Sequence, residues 1–128
     1  MNNARVAVPP PRNEPILGYA PGSAEKTAVK ARLTEFTDGS VEIPLLIGGR
    51  EVTTGDLGDC ILPHDHQRRV ATYHRGNAHT VDQAIAAAAA ARADWSAMPW
   101  ESRAAIFLKA AELLAGRYRQ VLNAATML

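Results

Sequence analysis

Between Thr80 and Leu128 the apolar positions recur every three or four residues, which predicts helices. Val81, Ile85, Ala88 and Trp95 fall along one face of the first. Thr80-Val-Asp-Gln83 matches a capping box and marks its start. The run Ala86–Ala91 is low in complexity but strongly helix-forming. Met98-Pro99 breaks the helix, and Pro99 suits the first position of the next. In that next stretch Trp100, Ala104, Phe107, Leu108, Ala111, Leu114 and Ala115 make an amphipathic face. Gly116 predicts a break or kink. Beyond it Tyr118, Val121, Leu122, Ala125 and Leu128 resume the same face.

Upstream the period shortens. "VEIPLLIGGREVTTGD" holds an apolar run to Ile47, a Gly48-Gly49 turn signal and a second short run, which predicts a β-hairpin. "DCILPHDHQRRVATYHRG" predicts two more short strands about a polar turn at His64–Arg68. Pro44 and Pro63 belong at strand ends or edges. Earlier still, "GSAEKTAVKARLTEFTDGS" reads as a helix. Ser23 caps it, Glu25 sits in its first turn, Gly39 closes it, and Val29, Leu33 and Phe36 share a face. Residues 1–22 carry five of the eight prolines and predict an extended arm. Val6, Val8, Ile16, Leu17 and Tyr19 give that arm enough apolar surface to lie on a body.

Composition narrows the function. The chain has 128 residues, 47% hydrophobic and 21% charged, which suits a soluble globular domain. A net charge of +1 gives no driving force toward nucleic acid or an anionic membrane. The start of the chain lacks a signal-peptide or transit-peptide pattern, and no apolar run is long enough to span a bilayer. One cysteine forms no intrachain disulfide and fits a reducing compartment, so the expectation is cytoplasmic.

Candidate chemistry is sparse. Cys60 sits in a predicted strand beside Ile61 and Leu62, so a half-buried hydrophobe is favoured over a nucleophile. His64, His66, His74 and His79 invite a metal reading, but Cys-x3-His-x-His matches no common zinc spacing. Gly48-Gly49 is a turn rather than a phosphate cradle, since no G-x-G-x-x-G or Walker pattern exists here. Asp82 is read as a capping residue, and Glu101 with Arg103 as the head of a helix. Trp95 and Trp100 are read as core anchors where two helices meet. No catalytic, cofactor-binding or metal residue is assigned.

One ordered set of segments is distinctive. Asn13-Glu14-Pro15 followed by Tyr19-Ala20-Pro21-Gly22-Ser23 resembles the opening of the 1-pyrroline-5-carboxylate dehydrogenase family, within the aldehyde dehydrogenase superfamily. "IPLLIGGREVTTGD" is similar to its first hairpin, "LPHDHQRRVATYHRG" to its next strand pair, and the stretch from Val81 to Leu128 to its first long helical region. The resemblance implies an α+β segment of an aldehyde dehydrogenase-type α/β fold. It implies an arm over 1–22 and, over 23–128, an incomplete N-terminal part of the NAD-binding domain, truncated at its C-terminal end. It further implies a complete enzyme that oxidises L-glutamate γ-semialdehyde to L-glutamate with NAD, through a cysteine nucleophile and a glutamate base. Members of the family carry those residues, and the NAD-binding strands, beyond the point matching Leu128. This segment is then an inactive scaffold. Its partner is the remainder of the dehydrogenase, in the same chain or from a split gene, and the complete enzyme is expected to be a homo-oligomer.

A second expectation comes from the residues alone. Trp100, Ala104, Phe107, Ala111, Leu114, Tyr118, Val121, Ala125 and Leu128 follow a heptad-like spacing. They could form the seam of a free-standing helical interaction module. The Ala-rich quality of the row and the central Gly116 favour an internal packing face instead.

Overall fold

The computed structural model describes residues 7–128. Val6 and the rest of the arm's start lie outside the described residues. From Ala7 to Ala20 the arm has no regular secondary structure, as its prolines require. It is fastened at its end. The Tyr19 hydroxyl donates to Gln120 Oε1 at 3.3 Å and accepts from Asn123 Nδ2 at 2.8 Å. Tyr19 itself adopts a left-handed φ of 50° to do so. Leu17 is half-buried, but Val8 and Ile16 remain exposed, so the arm covers only part of its apolar surface.

Helix α1 spans Ala24–Asp38. Ser23 caps it by accepting the Lys26 N–H at 3.3 Å, and the Gly39 N–H closes on the Glu35 carbonyl. Val29 is buried, with Leu33 and Phe36 half-buried beside it, as their spacing predicts.

The apolar run after α1 is divided. Strand β1 covers Val41–Ile43 and β2 covers Leu45–Ile47, with Pro44 between them. Proline donates no ladder hydrogen bond, so one strand cannot run through it. β2 forms the expected hairpin with β3 (Arg50–Val52), Ile47 facing Arg50. Gly48 and Gly49 both take positive φ, 59° and 75°, the geometry that a two-residue hairpin turn needs. β1 leaves the hairpin and pairs in parallel with β5, Val41 opposite Ala71.

β4 (Leu57–Leu62) and β5 (Asp65–His74) form an antiparallel pair, completing a sheet of order β1-β5-β4. The turn between them is Pro63–His64 rather than the expected His64–Arg68. His66, Gln67 and Arg68 lie inside β5, which is long rather than short. A bulge near Cys60–Leu62 absorbs the register shift that so tight a turn imposes.

The helical half begins three residues before the predicted cap. Helix α2 spans Ala78–Ala97, and Asn77 is its cap. Asn77 Oδ1 accepts the Thr80 N–H at 3.0 Å, while Thr80 Oγ1 accepts the Asn77 N–H at 2.8 Å. Thr80 is thus the reciprocal partner inside the helix, and Asp82 lies beyond its first turn and caps nothing. α3 spans Trp100–Ala115, with Pro99 at the cap position, one place before the expected one. Gly116 ends α3, and α4 runs from Arg119 to Met127.

The core is small. Among the described residues, Val29, Leu62, Ala71 and Ala124 are its buried apolar members, one each on α1, β4, β5 and α4. No residue of α3 is buried. Beyond the break at Gly116, α4 packs mainly on α1, while Ala111, Leu114 and Ala115 of α3 still share one recess with Leu122 of α4. Val81, Ile85 and Trp95 on α2 are exposed as well.

Candidate functional site

Two features stand out chemically: a buried polar cluster on the sheet and a set of uncovered apolar faces. The cluster centres on His74, at the end of β5 and 5% exposed. Its Nδ1 accepts two successive backbone N–H groups, Thr54 at 3.0 Å and Gly55 at 3.2 Å. An acceptor carries no proton, so the proton resides on Nε2, which donates to Glu42 Oε1 at 2.8 Å. Gly55 has φ +77°, a conformation that costs glycine little and lets the chain reverse there. Thr54 Oγ1 adds a bond to the Arg75 carbonyl at 3.0 Å, and Arg75 pairs with Asp56 at 3.1 Å. Tyr73 foremost, then Asp56, hold the Arg75 guanidinium above its ordinary pKa, so it stays cationic at every working pH.

His74 is therefore a satisfied structural histidine. The other expected ligand candidates stand apart. His64 lies in the β4–β5 turn, His66 within β5, and His79 in the first turn of α2. Among the described residues no three His, Cys, Asp or Glu side chains converge as metal ligands would. Glu101 occupies the first turn of α3, where it complements the helix dipole.

An apolar recess of about 390 Å³ lies between the sheet and the ends of α1 and α4. Phe36, Val41, Ile43, Cys60, Val70 and Leu128 line it. Cys60 is half-buried in its wall, beside aliphatic neighbours and with no hydrogen-bonded base, which suits a packing residue. Trp95 and Trp100 do flank the Pro99 break but are 41% and 49% exposed. Trp95 meets the edge of Phe107, with ring centroids 6.4 Å apart, and at such exposure neither tryptophan is a core anchor among the described residues. Periodicity grouped these side chains on faces of α2 and α3, and among the described residues they stay largely exposed.

An arm, a small mixed sheet with a separate hairpin, and long helices with open apolar faces make up a scaffold. The sequence profile of the aldehyde dehydrogenase family matches residues 52–127. The chain belongs to that family, and its fold is a segment of the family's fold. It is 46% identical over 126 residues to Delta-1-pyrroline-5-carboxylate dehydrogenase of Agaricus bisporus, covering 98% of this chain and 23% of that protein. It is 38% identical to the mitochondrial Delta-1-pyrroline-5-carboxylate dehydrogenase of Dictyostelium discoideum, over 98% of this chain and 22% of that one. Among solved structures it superimposes on the Mycobacterium tuberculosis Delta-pyrroline-5-carboxylate dehydrogenase bound with NAD and cobalamin. The TM-score is 0.95 at 40% identity, over 100% of this chain and 24% of that one. The chain thus spans about a quarter of the length of the relatives it matches.

Proposed function

We propose that this chain is the N-terminal segment of an NAD-dependent dehydrogenase that oxidises L-glutamate γ-semialdehyde, the open form of 1-pyrroline-5-carboxylate, to L-glutamate. One observation carries the reading. The likeness to 1-pyrroline-5-carboxylate dehydrogenases runs through the arm, α1 and β1, whereas the general family profile begins at Val52. A shared arm is a finer tie than a shared family.

Within such an enzyme, residues 1–22 are the arm and residues 23–128 the first part of the NAD-binding domain. The segment's own residues do not fit NAD. A dinucleotide site needs a Gly-rich turn leading from a strand into an open helix N-terminus. Here the starts of α1 and α2 are filled by the Ser23 and Asn77 side chains. We assign no catalytic, cofactor or metal residue to this segment. Its role is to carry the apolar faces against which the rest of the enzyme packs. The complete protein is proposed to be a cytoplasmic homo-oligomer. Among the described residues no helix is long and apolar enough to cross a membrane.

The test is to read the coding sequence past the Leu128 codon, express the whole frame and assay it. The expected result is a frame that continues into a Gly-rich turn, NAD-binding strands and a cysteine motif, and a protein that reduces NAD with 1-pyrroline-5-carboxylate. A stop codon at that point, with no second gene supplying the rest, overturns the reading. The free-standing helical module would then take its place.

A further inference from the structure

We propose that His74 is an acid-released clasp that fastens the loop leaving the β2–β3 hairpin to the three-stranded sheet. The inference stands on the polar cluster alone and is independent of the dehydrogenase reading. The imidazole ties three parts of the chain together. Its own strand is β5, Glu42 reaches it from β1, and the Thr54 and Gly55 amides reach it from the loop between β3 and β4.

The clasp is closed only while Nδ1 keeps a free lone pair. A proton taken from solvent at Nδ1 turns that acceptor into a donor. Two backbone N–H groups then face an N–H, and neither bond survives. Nε2–H is unaffected and still donates to Glu42. The imidazolium therefore keeps β1 and sheds the loop.

The charges around the ring are few. Among the described residues Glu42 is the one charged group bonded to the ring, and its side chain is 61% exposed, so solvent screens its charge. Asp56 in the loop is neutralised by Arg75 at 3.1 Å, and Asp59 on β4 by Arg69 at 3.0 Å. α1 meets β5 at its far end, where Arg68 bonds the Thr37 carbonyl.

Hydrogen–deuterium exchange read by peptide mass spectrometry, on the protein expressed from its full reading frame, tests this. Exchange is normalised for the intrinsic pH dependence of amide chemistry. Between pH 7.5 and pH 5, protection of peptides over residues 53–57 is expected to fall roughly tenfold to a hundredfold, the worth of one to two hydrogen bonds. Peptides of α2 are expected to keep theirs. Glu42→Gln retains an acceptor for Nε2–H and leaves the loop bonds to Nδ1 in place, so loop protection at pH 7.5 is expected to stay at the parent level. His74→Asn removes the pH dependence. Unchanged loop protection in the parent protein overturns the proposal. So does loss of protection throughout the chain at the same pH, or a pH-dependent release that persists in His74→Asn. Should His74→Asn fail to fold, the parent profile decides: loss of protection confined to the loop supports the clasp, and loss that includes α2 counts against it.

Discussion

At Gly58 the absence of a Cβ decides how β4 meets β5. Gly58 is buried opposite Tyr73, and a Cβ built there would lie 2.3 Å from Tyr73 Cζ and 2.6 Å from its hydroxyl. The aromatic ring thus occupies the space a side chain would fill, a pairing that protects a weak strand position. Gly58→Ala must push the ring outward. Tyr73 is 38% exposed and has room to move, which limits the damage. The expected cost is about 1–2 kcal/mol in urea unfolding. Because both changes act on one contact, Gly58→Ala with Tyr73→Ala is expected to cost less than the sum of the two alone. Additive costs would show that the ring is not what excludes the methyl group. Contacts of this kind were not legible in the sequence. Gly58 reads as a loop residue until Tyr73 is placed across from it. His74, Glu42 and Thr54 likewise look unrelated at separations of 20 and 32 residues.

At the scale of elements the sequence was a good guide to what exists and a poorer one to where it starts. Every helix and the Gly48-Gly49 hairpin were legible, because capping side chains, prolines and glycines act locally. The errors have local causes too. Thr80 satisfies the pattern of a capping residue, but Asn77 three places earlier pairs with it reciprocally and wins. Asn77→Ala is therefore expected to cost about 1 kcal/mol, with Thr80→Ala close behind and the pair non-additive. Asp82→Asn, at the position the sequence suggested for capping, is expected to change stability by less than about 0.5 kcal/mol. Thermal unfolding followed by circular dichroism separates the three, and an Asp82 effect as large as that of Asn77 would restore the later helix start. The split of the run at Pro44 belongs to another class. Proline announced a strand end, but the parallel partner of β1 comes some thirty residues later, and no short-range signal carries that pairing. Nor does periodicity distinguish a face buried within this chain from one that awaits a partner.

That last distinction governs the whole molecule. A compact monomer of 13.7 kDa exposes about 6,600 Å² by the usual scaling of surface with mass, whereas this chain exposes 10163 Å². Exposed apolar side chains on α2 and α3, Ile85, Phe107 and Leu114 among them, contribute to the excess. α3 is the sharpest case. Its 16 residues bury none of their number, with Phe107 66% and Leu114 50% exposed. A helix of that length holds its shape in water chiefly by packing an apolar face, and among the described residues this face meets only the edge of Trp95 and a shared recess with Leu122. A dehydrogenase segment and a free-standing module both leave it open, but they differ in what a charge placed there does. In the 128-residue chain, Phe107→Asp with Leu114→Lys removes only half-exposed contacts, the edge of Trp95 and the recess shared with Leu122. Its unfolding free energy is expected to fall by no more than about 1 kcal/mol, and the chain to become less prone to aggregate. In the protein from the full reading frame the same pair of substitutions buries two charges against apolar neighbours. Each is expected to cost about 3 kcal/mol or more, enough to deplete folded enzyme. Sedimentation velocity on the short chain distinguishes the alternatives. If the double variant converts a defined oligomer of the short chain into monomer, the face is a seam between copies. If the parent is heterogeneous and the variant simply cleaner, the face is an interior surface of the larger enzyme.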